Sequence, residues 1–315
     1  MIVSIFNEVI GPVMRGPSSS HCAAAFALAT VSPSYLFAAP AQAAAPAGAA
    51  RKLKKGIMWG TVGLPGSVLE KMKAVKEAGF EGVEMNSHMD QEEVLRARDQ
   101  TGLLIPSVCG ARHWNKPLSD PDPKVQAEGL EALLQTLRDA KCYGASSALL
   151  VPAVVTKQVA YDQAWDRSRA EIRKALPLAS DLGVTIAVEN VGNQFLLSPL
   201  EAAHYVDEFK SQFVGWHFDV GNNFSNGGWP EQWIRILGKR IQKLHIKEFV
   251  RRQRNEPARR PGPVRLLEGD NDWPAIMKAV DDIGYAGWAI TEQPGGDTRE
   301  GLADLAQRLG RILAS

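Results

Sequence analysis

The chain has 315 residues, 45% of them hydrophobic, enough to bury one large core or two ordinary ones, because barrels stretch the usual length of about 150 residues per domain. Lys and Arg number 36 against 35 Asp and Glu, so the net charge of +1 gives no global pull toward nucleic acid or an anionic membrane. The three cysteines, Cys22, Cys109 and Cys142, form no CxxC pair, which argues against a disulfide framework or a thiolate metal site.

Residues 23–50 read AAAFALATVSPSYLFAAPAQAAAPAGAA, an alanine-rich apolar stretch followed by small residues, with AQA at 41–43 as a cleavage site. This is the pattern of the back half of a secretory signal, and it predicts export with a mature chain beginning near Ala44. The charged front half is thin, since only Arg15 precedes the apolar run, and cytoplasmic residence stays open. Ahead of it, SIFNEVIGPVMRGPSSSH within residues 1–25 resembles the start of a bacterial L-serine dehydratase, but none of that family's cysteine cluster follows. Residues 1–50 are therefore expected to form an N-terminal extension outside the fold, and residues 51–315 a single domain. After residue 50 no apolar run reaches the roughly 18 residues of a membrane span.

From Ile57 onward short β-rich runs alternate with amphipathic stretches, the pattern of parallel strands joined by crossover helices. The predicted strands are GIMWG (56–60), FEGVEM (80–85), LLIPSVC (103–109), SSALLVP (146–152), VTIAVEN (184–190), FVGWHFD (213–219), IQKLHIK (241–247) and GWAITEQ (287–293). Between them lie helical stretches such as SVLEKMKAVKEAGF (67–80) and SRAEIRKALPLASDLG (168–183), each closing on a glycine just before the next strand, as helix C-caps do. Eight such units predict a (β/α)8 barrel, the TIM barrel, whose reactive residues sit at the C-terminal ends of strands. A doubly wound open sheet is the competing architecture. It calls for a glycine-rich phosphate turn after the first strand, and WGTVGLPG (59–66) has glycines without the GxGxxG spacing.

The last four predicted strands deliver Glu189, Asp219, His245 and Glu292 in turn, at separations of 30, 26 and 47 residues. Each separation is one βα unit, the last lengthened by a loop from Glu248 to Glu268. Strand alternation points Glu189 inward with Ala187 and Thr185, and His245 inward with Lys243 and Lys247. Three carboxylates at one barrel mouth repel one another unless a cation neutralises them, so the four residues predict a site for one divalent metal ion. Oxygen-rich donors with one imidazole suit Mn²⁺ or Mg²⁺, with Co²⁺ or Zn²⁺ able to substitute.

The segments AVENVGNQFLLSPLE, WHFDVGNN, KLHIKEF, LLEGDNDW and TEQPGG resemble the sugar phosphate isomerase/epimerase superfamily, the xylose-isomerase-like TIM barrels, over roughly residues 55–312. That superfamily includes ketose 3-epimerases and hydroxypyruvate isomerase. The resemblance implies that Glu189, Asp219, His245 and Glu292 are the metal ligands. It also implies that Glu189 and Glu292, on opposite faces of the substrate, are the acid/base pair. A metal held by adjacent hydroxyl and carbonyl oxygens of a sugar acidifies the neighbouring C–H through an enediolate. Return of the proton from the opposite face inverts the carbon, whereas return to the next carbon interconverts aldose and ketose. The epimerases carry a histidine three residues after the sixth-strand aspartate. This chain has Asn222 there, a departure at a substrate-facing position.

Further substrate-binding candidates surround the mouth. Lys247 can hold an anionic oxygen. His113 and Trp114, in GARHWNKP after the third strand, can supply a hydrogen bond and an aromatic face, and Glu84 with His88 closes the second strand. His217, two residues before Asp219, is expected one layer below as a core histidine. Arg251, Arg252, Arg254, Arg259, Arg260 and Arg265 make the loop from Glu248 to Leu267 the one basic patch, expected as a solvated face. The expected partner is a small carbohydrate or keto acid, with no nucleic acid and no membrane in the mature form; a homo-oligomer is compatible. One rival reading keeps the site and eliminates the aglycone of a 3-keto-glycoside, and export favours it. A DNA-cutting branch of the same fold, endonuclease IV, needs more histidines than His113, His217 and His245 supply. A non-catalytic sugar-binding module is the last alternative.

Overall fold

The computed structural model describes residues 51–251 and 261–315. The signal-like and dehydratase-like segments, Cys22, and Arg252, Arg254, Arg259 and Arg260 of the basic loop lie outside the described residues.

Eight parallel strands close on themselves: β1 (Leu53–Met58), β2 (Gly82–Asn86), β3 (Ser107–Cys109), β4 (Ser147–Leu150), β5 (Thr185–Glu189), β6 (Val214–Asp219) and β7 (Ile241–Ile246), then β10 (Gly287–Thr291). Between β7 and β10 the two-residue strands β8 (Phe249–Val250) and β9 (Gly262–Pro263) pair antiparallel outside the barrel. Closure is made by β1 against β10, from Leu53 opposite Gly287 to Ile57 opposite Thr291. A closed sheet has no free edge, so every inner strand backbone is paired. The expected (β/α)8 barrel is thus the observed one.

The helices are α1 (Val68–Glu77), α2 (Gln91–Thr101), α3 (Pro123–Tyr143), α4 (Tyr161–Leu182), α5 (Pro199–Asp207), α6 (Val220–Ser225), α7 (Pro230–Leu237), α8 (Trp273–Asp282) and α9 (Arg299–Ala314). Their starts are written in the sequence. Ser67 caps α1 in a reciprocal box with Glu70, and Asp90, Ser198 and Asp272 accept backbone N–H bonds at the starts of α2, α5 and α8. Each such cap is worth about 1 kcal/mol. Their ends are equally legible: Gly102, Gly144 and Gly183 close α2, α3 and α4 in the left-handed conformation, at φ of 65°, 80° and 67°.

The apolar stripes of these helices, such as Leu133 and Leu137 on α3, Ile172 on α4 and Leu305 and Leu309 on α9, are buried around the sheet. Strand β3 is shorter than predicted. Pro106 has no N–H to give a ladder, so Leu104 pairs only as an isolated bridge to Gly82 and the strand proper begins at Ser107. The barrel interior also departs from the usual aliphatic layers, because Glu84, Ser107, Ser147, His217, Lys243 and Thr291 are all buried.

Candidate active site

Four strand ends are tied in two pairs before any ligand is considered. Asn190, just past β5, donates from Nδ2 to the backbone oxygen of Asp219 at 2.8 Å and accepts at Oδ1 from the Asp219 N–H at 3.1 Å and the Trp216 indole at 3.0 Å. That amide sets the end of β5 against the end of β6. Asp219 then caps α6, its Oδ1 accepting the Asn222 N–H at 2.6 Å, which leaves Oδ2 for the barrel mouth. On the other side the Gln293 oxygen accepts the Glu248 N–H at 2.8 Å and locks the end of β7 to the end of β10. Glu248 is itself buried, accepting from Trp273 Nε1 at 2.6 Å and from the Leu267 N–H at 2.9 Å.

Within this frame Glu189, Asp219, His245 and Glu292 converge, with one donor atom from each lying within 4.8 Å of the others. His245 Nδ1 stands 2.9 Å from Glu292 Oε2, 3.2 Å from Glu189 Oε1 and 3.6 Å from Asp219 Oδ2. Adjacent donors around a divalent ion with bonds of about 2.1 Å stand roughly 3 Å apart, so this spacing and the three-oxygen, one-nitrogen donor set fit such an ion. The carboxylates also stabilise positive charge at Nδ1, which either a proton or a metal can supply. Lys247 adds a second cation, its Nζ 3.0 Å from Asp219 Oδ2, 2.9 Å from Glu292 Oε2 and 3.3 Å from the Asn222 side-chain oxygen.

The two outer carboxylates are set apart electrostatically. Burial pushes Glu189 up to about 7, a rise that its hydrogen bond from His245 only partly offsets. Glu292 is also pushed up by burial, but the charges of His245 and Lys247 outweigh that and hold it at about 2. Burial lowers Lys247 and His245, and the surrounding carboxylates more than reverse it, raising both.

A cavity of about 450 Å³ opens over these groups. Glu189, His245, Lys247, Glu292 and Asn222 line one side, and Met58, Asn86, Cys109, His113, Trp114 and Leu149 the other. A second cavity of about 450 Å³ adjoins it, sharing Lys247 and Glu292 and continuing past Phe249, Pro263 and Pro294.

A family model described as xylose isomerase-like TIM barrel matches residues 72–312. The chain belongs to that family. L-ribulose-5-phosphate 3-epimerase UlaE of Escherichia coli is 24% identical over 255 residues, covering 76% of this chain and 86% of that one. Among solved structures, the E. coli 3-keto-D-glucoside 4-epimerase YcjR shares the fold with a TM-score of 0.70 at 18% identity, over 84% of this chain and 100% of the other. The IolI protein with a bound zinc atom has a TM-score of 0.70 at 15% identity, over 83% and 98%. These xylose isomerase-like relatives include epimerases, which are isomerase-type enzymes.

Of the remaining sequence candidates, His113, Trp114, Asn222 and Lys247 are brought to the cavity wall. His113 is held neutral, burial depressing it to about 4, and its Nδ1 accepts the Val151 N–H at 3.3 Å. Trp114 is 49% exposed at the rim, edge-on to His113. Glu84 does not reach the cavity, which corrects the expectation that it touches substrate. It is fully buried beneath the mouth, bonded to His245 Nε2 at 2.7 Å and to the Ser107 hydroxyl. His217 lies in the same buried layer, as the sequence suggested, and His88 is turned to Ser87 Oγ at 2.8 Å. Arg251 is no solvated charge: its guanidinium stacks 3.8 Å from the Phe224 ring and 4.6 Å from Trp229, and bonds the Phe224 and Gly228 backbone oxygens. Arg265 is exposed and pairs with Asp304 at 2.8 Å. Sequence reasoning missed Asn190, Glu248 and Gln293, whose only signal was their place beside Glu189, Lys247 and Glu292.

Proposed function

We propose that this chain is a divalent-metal-dependent sugar isomerase or epimerase that moves a proton next to a carbonyl. The observation that carries this reading is the meeting of three carboxylates and one imidazole at one barrel mouth, with Glu189, His245 and Glu292 lining a single cavity and Asp219 buried beside them. Mn²⁺ or Mg²⁺ suits that donor set, with Co²⁺ or Zn²⁺ as substitutes. Held by Glu189, Asp219, His245 and Glu292, the ion would supply electrophilic stabilisation of charge on the substrate's carbonyl and hydroxyl oxygens.

The chain's own groups supply the rest. Glu292 takes the proton from carbon, and Glu189, across the same donor set, returns one. The Lys247 ammonium, positively charged throughout the neutral range, steadies the negative oxygen that develops. His113 and Trp114 on the facing wall orient the sugar ring, the first by a hydrogen bond and the second by an apolar face. Asn222, bonded to Lys247, stands where it can select among hydroxyl patterns.

The test is incubation of the metal-loaded protein with ketoses, hydroxypyruvate and 3-keto-glycosides in D₂O. Deuterium uptake without cleavage supports this reading, and absence of both exchange and cleavage points to a sugar-binding module. A second reading, loss of the aglycone from a 3-keto-glycoside, is favoured by the adjoining cavity beyond Glu292, which offers room for an appended group. Aglycone release in the same experiment selects it. The signal-like residues 23–50 support export, and N-terminal sequencing of the native protein tests it: a chain beginning near Ala44 supports export, and retained Met1 overturns it.

A further inference from the structure

Beneath the four converging residues lies a carboxylate that the proton chemistry leaves unused. Glu84, on β2, reaches across the barrel interior to His245 on β7, with Oε1 2.7 Å from Nε2 and both side chains at most 1% exposed. Glu84, His217 and His245 lie close enough to form a second cation group. The spacing decides against that use. Two donors on one tetrahedral ion, each at about 2.0–2.2 Å, stand roughly 3.3–3.5 Å apart, whereas 2.7 Å is the length of a charge-assisted hydrogen bond.

A neutral imidazole carries its proton on one nitrogen only, and an acceptor placed at that nitrogen chooses which. We propose that Glu84 is a positioning residue: by accepting the Nε2 proton of His245 it fixes the tautomer whose Nδ1 lone pair faces Glu189, Asp219 and Glu292, and so sets metal affinity. The inference rests on the metal reading above. An anionic acceptor on the far nitrogen also makes the near one a stronger donor. Glu84 is held in turn, since its other oxygen accepts from the Ser107 hydroxyl on β3. His217 presses edge-on against His245 with ring centroids 4.1 Å apart, and neither of its nitrogens has a hydrogen-bond partner among the described residues, so it restrains the ring without competing for the proton.

The experiment compares wild type, Glu84→Gln and Ser107→Ala. Zn²⁺ and Mn²⁺ affinity is measured by calorimetry, melting is recorded without metal, and the histidine N–H resonances of the Zn²⁺-loaded protein are followed by NMR. Glu84→Gln keeps the side chain's shape and removes its charge. It should weaken metal binding about 10- to 100-fold and shift the hydrogen-bonded imidazole N–H, while the metal-free protein still melts cooperatively. Ser107→Ala should move affinity and resonance the same way by a smaller factor. Activity should recover toward wild type at saturating metal, which a defect in the chemistry itself would not allow. Wild-type affinity and an unmoved resonance in Glu84→Gln overturn the proposal. Should that variant fail to fold, the same null result in Ser107→Ala overturns it. A wild-type protein that binds neither ion overturns the metal reading, and this inference with it.

Discussion

Around the barrel mouth, the ends of β5, β6, β7 and β10 deliver Glu189, Asp219, His245 and Glu292, whereas β1 to β4 offer Met58, Asn86, Cys109 and Leu149 to the same cavity. One half is charged and the other neutral. A substrate lying between them would meet ions on one face and shape, amide and thiol on the other, and the proposed proton transfer and recognition would then fall to different strands. The division follows chain order, with the charged set arriving entirely in the second half of the barrel.

The comparison breaks most visibly if the charged half is deprived of the cation proposed for it. Chelation should abolish activity, and added Mn²⁺ or a related ion should restore it. At metal 100-fold above its dissociation constant, binding stabilises the fold by about 2.7 kcal/mol, so chelation should lower the melting temperature by roughly 5–10 °C. Activity and melting both unaffected by chelator would remove the metal from this account.

Next in size is Glu292→Gln, which keeps one donor oxygen and abolishes the base. Metal and substrate should still bind while turnover falls about 10⁴-fold or more, at the upper end for acid/base groups. Substrate deuterium exchange at near wild-type rate would place the base elsewhere, with Lys247 the next group to replace.

How much of this division the sequence carries depends on the range of the signal. Glu189, Asp219, His245 and Glu292 were legible because strand runs, helix caps such as Ser67 and glycine stops such as Gly102 are local, and together they count the units. The placement of Glu84 was not legible. Whether a strand-end glutamate faces the cavity or the layer beneath depends on the stagger of the barrel, a property of all the strands together. Arg251 misled for the same reason, since it finds its rings at Phe224 and Trp229, more than 20 residues earlier. Pro106 was local and readable, yet the apolar run around it outweighed it in the predicted third strand.

On the neutral half the effects should shift from turnover to binding. Trp114→Ala removes an exposed aromatic face that carries no proton, so KM should rise about fivefold with kcat nearly unchanged, in line with roughly 1 kcal/mol for such a contact. A fall in kcat with constant KM would move Trp114 into the chemistry. Asn222→Ala, at the seam between the halves, should change the ratio of kcat/KM between two ketoses by about fivefold and the better substrate's kcat by less. Equal losses on every substrate would show that it serves only to hold Lys247.

The smallest effect is expected at Cys109, and it measures how far the charged half projects across the mouth. Burial is the main reason its thiol is pushed well above the ordinary range, and the carboxylates of Glu84, Glu189 and Glu292 push the same way. The group is therefore a neutral wall at physiological pH, and Cys109→Ser should alter kcat/KM by less than about threefold, under 1 kcal/mol. Its reactivity is more informative than its replacement. A divalent ion cancels the part of the shift due to the carboxylates and leaves the part due to burial, so Cys109 in metal-loaded protein should react with iodoacetamide faster than in chelated protein, though by less than about tenfold. Peptide mass spectrometry separates it from Cys142, which lies on α3 outside the cavity wall and should show no dependence on metal. Equal alkylation of Cys109 with and without metal would mean that the facing wall does not feel the ligand carboxylates, and the two halves would then be independent in charge as well as in composition.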